Sequence, residues 1–478
     1  MGVFSFLTRK TRKPARPGRH VGRSYRAPRA DHLKDGFMPR DSWERVPSSL
    51  ATLQARARDL AHNNPYASRA VSILTSYITG TGIRVAVTGD DAYSKAYRAW
   101  SESAAVDYDG RLNLAGLQSL CCRMMIEAGE AFLIIRHVEN DDGRLMPQFQ
   151  AVDPALVATS ASPKNPAHQV VSGVEIDPAT GRVAGYHFYK SFDPRNSRME
   201  TFFVAARDVI HLFETLYPGQ IRGIPRGTQA LIQASDMDQF VQTMLIKAKT
   251  EACLAVAVTV QDGEEYDDIG EVDEAESDPL PETLSPGLIF RLRQGEDLKT
   301  VIPSGTGGYI DYVRISLQSI AISYRVTYSQ ISGDLAQANF SSLKSDLNLF
   351  AQGVDETREL YVTPVVARIE RLFRADYELS ESRDVVITTT IVPPARSQID
   401  PQKETGALIS KLQAGLVSWS DAVLSSGKDP EEHLQQLVSE RARLEKMGVT
   451  VSFIKQPDPV DDEDEAPANR DPDDSGVS

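Results

Sequence analysis

Charge is laid out in blocks along this 478-residue chain, and the blocks decide which parts of it can fold. Residues 1–30 hold nine bases and no acid, residues 263–282 hold ten acids and no base, and residues 455–478 hold nine acids against two bases. Blocks of one sign repel themselves and carry too little apolar surface to build a core. They are read as a basic disordered arm over 1–40, an acidic surface loop over 263–282 and an acidic disordered tail over 451–478. The overall charge of −14, less the arm's +9 and the tail's −7, leaves −16 on the body between them. With 41% hydrophobic residues, the chain has enough apolar surface for several domains of roughly 150 residues each.

Within the body the periodicity changes twice. A helical pattern over about 48–78 is broken at Asn63-Asn64-Pro65, and Gly80 stands where a helix would end. Helices follow over 90–101 and 114–128. Strand patterns then occupy 131–138, 148–152, 169–176, 182–189, 201–204 and 208–213, separated by turn formers such as Asp141-Asp142-Gly143. These features predict an α+β domain with an antiparallel sheet. Beyond Arg226 a long helix runs to about 251, then strands over 254–260, 287–292 and 298–302. Helices return at 309–324, 340–349 and 356–374. Three short helices close the body, starting at Asp400-Pro401, Ser418 and Asp429-Pro430, with Glu432 placed to complete a capping box. Leu434, Leu437, Val438 and Leu444 give the last of them an apolar face.

Several function classes are disfavoured. No phosphate loop, dinucleotide turn or His-Glu-x-x-His pair is present, and Gly305, Gly307 and Gly308 lack the Lys-Ser/Thr that a phosphate site needs. The eight histidines are scattered, so no catalytic, cofactor or metal site is expected. Three cysteines, two of them adjacent, suggest a reducing compartment rather than a disulfide framework. No apolar run approaches the ~18 residues of a membrane span, so no membrane partner is expected. An acidic body argues against a sequence-specific DNA-binding regulator. A nuclease would need a carboxylate–metal spacing that nothing here announces.

Five stretches carry an identity. They are 58–85, with its broken helix and Gly-x-Gly turn, and 217–258, with Gln220, Arg222, Gly223, Ile224 and Pro225. Then come 284–303, with Pro286-Gly287 and Gly295-Glu296-Asp297, and 317–347, with Ser332-Gly333-Asp334 and Asn339-Phe340-Ser341-Ser342. The last is 399–432. In this order they resemble the lambda-type family of bacteriophage portal proteins, although Phe340 stands where that family usually has Tyr and Gln398 where an aromatic is commoner. Read physically, Gly223-Ile224-Pro225 is a turn launching a helix, Ser332-Gly333-Asp334 a loop, and Asn339 to Ser342 a helix cap.

The resemblance implies a portal-type subunit with an α/β wing, helical stem, small clip and C-terminal crown. It assigns 41–222 to a wing-like region, 223–375 to stem, clip and tunnel, and 376–450 to a wing or crown. It implies a ring of about twelve subunits at one capsid vertex, through which double-stranded DNA is packaged and ejected. The implied partners are the major capsid protein, the terminase large subunit and head-completion or tail connector proteins, with assembly in the host cytoplasm. A head–tail adaptor without a packaging role is the alternative, disfavoured by length. Lys344, Asn339, Arg291 and Arg293 are the candidates for meeting DNA phosphates.

Overall fold

A computed structural model describes residues 46–140, 143–190, 200–253, 257–260, 296–299, 308–336, 340–395 and 400–449. The basic arm, the acidic block at 263–282, the strand expected over 287–292, the acidic tail and Asn339, Arg291 and Arg293 lie outside the described residues. The chain divides into two compact units, 1–401 and 402–478.

The first unit opens with helices α1 (Val46–Asn63) and α2 (Pro65–Thr79). Asn64 separates them: its side-chain oxygen accepts from the N–H groups of Tyr66 and Ala67 at 3.0 and 3.1 Å, and Pro65 takes the first helical position. Ala67, Ala70, Val71, Leu74 and Ile78 form the buried stripe of α2. Strand β1 (Arg84–Thr88) follows, then α3 (Asp91–Glu102) capped by Asp90 and α4 (Leu114–Ala128) capped by Asn113.

The middle of the unit is antiparallel sheet, in two pieces where a single sheet is expected from sequence. Strands β2 (Glu130–Glu139), β3 (Leu145–Val152) and β8 (Val209–Phe213) form one, in the order β3-β2-β8. Strands β4 (Gln169–Val171), β5 (Val174–Ile176), β6 (Val183–Tyr189) and β7 (Thr201–Ala205) form the other. The run 169–176, expected as one strand, is a hairpin turning at Ser172-Gly173, both with positive φ. Successive side chains of a strand point to opposite faces. In β2 this gives Ala131, Leu133 and Ile135 to the large helical core, and Phe132 and Ile134 to a smaller core shared with the second sheet.

A 3-10 turn over Arg226–Ala230 leads into α5 (Leu231–Cys253), so the helix expected from Arg226 begins one turn late. Strands β9 (Ala257–Val260) and β10 (Glu296–Lys299) pair antiparallel. Then come α6 (Tyr309–Tyr324), α7 (Tyr328–Ser332) and α8 (Phe340–Thr357), which runs through a π-turn at Arg358–Val362 into α9 (Thr363–Glu381). The two helices expected over 340–374 are thus continuous. Trp100 of α3 stacks 4.6 Å from Phe373 of α9, and Tyr93 donates its hydroxyl to Glu370 at 2.9 Å. Strand β11 (Thr388–Val392) pairs with β1 across some 300 residues of sequence, Arg84 facing Val392.

The second unit contains α10 (Pro401–Gln413), α11 (Trp419–Ser425) and α12 (Pro430–Lys446). Ser418 caps α11 through the Asp421 N–H at 3.0 Å. Asp429 caps α12 through the Glu431 N–H at 3.0 Å, one residue earlier than a capping box would use. Among its described residues only Ala422 and Val423 are buried apolar side chains.

Candidate functional site: a buried charged hub and two exposed helix faces

The motif 220–225 is built into the fold from within. The Gln220 amide closes its own loop: its oxygen accepts from Leu216 N–H at 2.7 Å, and its nitrogen donates to the carbonyls of Glu214 and Arg222 at 3.1 and 2.9 Å. Arg222 is buried and clamps the Glu130 carboxylate, its Nε lying 2.9 Å from both oxygens, while Nη1 donates to the Ser172 carbonyl. Glu130 also accepts from Gln54 Nε2 at 2.8 Å, His211 Nε2 at 3.0 Å and Gly223 N–H at 3.0 Å.

Burial opposes ionisation of Glu130, but the adjacent Arg222 guanidinium and the hydrogen bonds from His211 and Arg222 outweigh it, so its carboxyl is held well below the usual range. Burial also holds His211 below its ordinary value, more strongly than Glu130 raises it. A neutral His211 then donates Nε2–H to Glu130 and accepts the Tyr186 hydroxyl at Nδ1, 3.4 Å away. Its ring stacks on Phe132 at 4.2 Å.

Two glycines make the approach possible. A Cβ at Gly223 would lie 2.0 Å from the Gly129 carbonyl oxygen, and one at Gly129 would lie 2.4 Å from the Ile224 carbonyl carbon. Just beyond, Arg226 pairs with Glu214 and donates to Thr357 Oγ1 at 2.6 Å, tying the start of α5 to the end of α8. At the π-turn Arg358 donates from Nε to the Ile78 carbonyl at 2.7 Å and from Nη2 to that of Tyr77, capping the end of α2. Gln220, Arg222, Gly223 and Pro225 therefore belong to a strut whose polar groups are consumed internally.

The other residues singled out from sequence sit elsewhere. Gly333 ends α7 in the left-handed region, and Asp334 Oδ1 accepts from Ala336 N–H at 3.0 Å, so this motif is a local cap. A capping box of Thr327 and Gln330 starts the same short helix. Ser341 and Ser342 are exposed in the first turn of α8, with Lys344 half-buried behind them. Glu130, Glu214, His211, Arg226 and Arg358 are not apparent from sequence, because no local spacing links them. The one available signal, Glu130 at the start of an otherwise apolar strand, becomes interpretable only once Arg222 is known to face it.

Among the described residues no group of His, Cys, Asp or Glu is arranged to hold a metal, and no helix is long and apolar enough to cross a membrane. Cys121 and Cys122 are buried, and burial pushes both thiols up to about 12, which leaves them unreactive. What the unit offers outward is apolar surface on its helices: Leu245 and Ile246 of α5, Ile315 and Ile322 of α6, and Leu349 of α8 are exposed.

The chain is 22% identical to the probable portal protein of Halomonas phage phiHAP-1 over 95% of this chain and 94% of that one. It is 23% identical to the portal protein of Escherichia phage N15, and 22% identical to portal protein B of Escherichia phage lambda, each over 83% of this chain and 84% of the relative. Among solved structures it is similar to a chain of the virion of a native gene transfer agent particle, with a TM-score of 0.47 and 13% identity over 87% of this chain and 97% of that one. It is also similar to an HK97 family phage portal protein from Corynebacterium diphtheriae, with a TM-score of 0.32 and 12% identity over 73% of this chain and 97% of that one. The family described as phage portal protein, lambda family, matches residues 36–358, which take in both the hub and the exposed helices. The chain belongs to the lambda family of phage portal proteins, structural and non-enzymatic virion components that form a homo-oligomeric ring whose channel serves genome packaging and ejection.

Proposed function

We propose that about twelve copies close the ring, and that double-stranded DNA passes along its axis at one capsid vertex. The terminase large subunit supplies the energy for packaging from outside the ring. The major capsid protein holds the rim, and head-completion and tail connector proteins dock after filling. Assembly takes place in the host cytoplasm. In this reading 41–222 is the wing, 223–375 supplies stem, clip and tunnel, and 376–450 contributes to wing and crown. The observation that carries it is the family match over 36–358.

The charge distribution supports passage rather than capture. Tight binding of duplex DNA needs many Lys and Arg neutralising phosphates and releasing counterions. A body of net −16 works against that, and DNA slides past a surface that does not grip it. Isolated cations repeated by symmetry provide the exceptions, and Lys344 in the first turns of α8 is the described candidate. Asn339, Arg291 and Arg293 are further candidates, and the +9 arm adds a polyanion-binding or docking segment.

Packaging with the Lys344→Ala variant tests the channel contact: shortened or leaking DNA supports it, and unchanged length with full retention overturns it. Deleting residues 1–30 separates the two roles of the arm. Rings that form but fail to enter procapsids assign it to docking. Normal incorporation with poor DNA retention assigns it to DNA.

A further inference from the structure

We propose that residues 3–8 of this chain, Val3-Phe4-Ser5-Phe6-Leu7-Thr8, add to the open edge of β7 as a fifth strand of the second sheet. The contact lies within one subunit and does not depend on the ring.

Strand β7 ends its sheet, with β6 on one side only. Lys190 N–H donates to the carbonyl of Glu200, its partner in register, at 2.9 Å. By the alternation of an antiparallel pair, Phe202 and Val204 then carry the ladder to β6. Thr201, Phe203 and Ala205 turn their N–H and C=O groups the other way, where no partner meets them among the described residues. His187, opposite Phe203, follows the same alternation: its N–H and C=O bond to Gly173 and Ala158 on the far side of β6. An open edge is a template for another strand, and proteins usually blunt it with charge or Pro. Thr201–Ala205 contains neither.

The other edges of the two sheets are less open. Tyr108 N–H donates to the Phe149 carbonyl of β3 at 3.1 Å, β4 has three residues, and Val209, Ile210 and Leu212 of β8 are buried. The smaller core is also unfinished beside β7, because Phe202 and Val204 pack on it yet stay half-buried.

The occupant follows from composition and reach. Residues 1–8 are the longest uncharged run ahead of α1, and Val3, Phe4, Phe6 and Thr8 are strand formers. Phe4 and Phe6 fall on one face of an extended chain. Placed on the core side, they stand beside Phe202 and Val204, giving the aromatic and β-branched pairs that stabilise sheets best. Residues 9–45 join this run to α1, and a flexible chain of that length spans roughly 35 Å. The start of α1 is near the second sheet. Leu50 packs with Ile224 and Tyr217, and Arg222, two residues before Ile224, donates to the Ser172 carbonyl in the β4–β5 turn.

Hydrogen exchange of the full-length chain, read by mass spectrometry, tests the pairing. The Phe203 and Ala205 amides are expected to exchange about tenfold faster in a Phe4→Asp/Phe6→Asp chain than in the wild type, with β2 unchanged. The reciprocal variant is Ala205→Pro. It removes one outward N–H and leaves the ladder to β6 intact, and Ala205 already has the φ of −65° that Pro requires. Chymotrypsin is expected to cut at Phe4, Phe6 and Leu7 about tenfold faster in this variant. Ser5→Cys combined with Thr201→Cys or Ala205→Cys is expected to form, on oxidation, a cross-link inside one 52.6 kDa chain. Equal exchange in both chains, unchanged cleavage of the Pro variant, or a cross-link that joins two chains would each overturn the pairing. None of these results touches the portal reading.

Discussion

The hub around Glu130 and the hairpin of α5 and α6 handle charge in opposite ways. In the hub a fully buried carboxylate meets Arg222, His211, Gln54 and the Gly223 N–H, so no polar atom of Glu130 is left for a partner. On the hairpin, Asp311, Lys249 and Arg325 stand exposed beside apolar side chains that have nothing to cover them. The first arrangement fixes one subunit in one shape. The second holds its interactions open until another subunit arrives. The difference predicts that substitutions in the hub change the stability of the monomer, whereas substitutions on the hairpin change assembly.

The largest effect is expected at Arg222. An Arg222→Ala chain leaves the Glu130 carboxylate buried without its cation, which costs about 3–5 kcal/mol, and chemical denaturation of the monomer measures it. Gly223→Ala comes next. Its Cβ has only 2.0 Å to the Gly129 oxygen, so α4 and β2 must move from the 223–225 turn at about 1–3 kcal/mol or more. Loss of the Asn64 cap in Asn64→Ala costs about 1 kcal/mol, read as a lower melting temperature.

Another buried carboxylate, Glu175, supplies a pH test. Glu175 accepts from His168 and His187 at 2.9 and 2.8 Å and from the Lys164 and Asn165 N–H groups. Burial raises its pKa, but these hydrogen bonds dominate and bring it down to about 2 from an ordinary 4.5. Its stabilisation is therefore complete above pH 4.5 and is lost as pH falls toward 2. Stability of the wild-type monomer should fall more steeply across that window than stability of Glu175→Gln; parallel curves would remove Glu175 from the account. The smallest effect on the monomer belongs to the hairpin. Ile322→Asp changes its stability by no more than about 0.5 kcal/mol, even as ring formation is lost. A large loss of monomer stability there would erase the distinction between the two regions.

How much of this was legible in the sequence follows the same division between local and distant. The break at Asn64-Pro65 and the cap at Ser418 place helix starts correctly because a cap satisfies N–H groups two or three residues away. The order of motifs pointed to the family because each is a short stretch. The pairing of β1 with β11 was not legible, since its strands lie about 300 residues apart and each is only 5 residues long. The hairpin at Ser172-Gly173 was legible but overlooked, since this Ser-Gly pair, a turn former, interrupts the apolar residues of 169–176. The hub was half legible. Gln220, Arg222, Gly223 and Pro225 stood out as a motif, but Arg222 acquires its role from Glu130, 92 residues earlier. The π-turn at Arg358–Val362 gives no sequence signal, and Arg358 is explained only by the α2 carbonyls it caps.

The central claim is that this chain is a ring-forming subunit. Electron microscopy of the purified full-length protein tests it most directly. Closed rings of about twelve subunits around an axial channel wide enough for duplex DNA are the expected result. Monomers, or open filaments that never close, would contradict it.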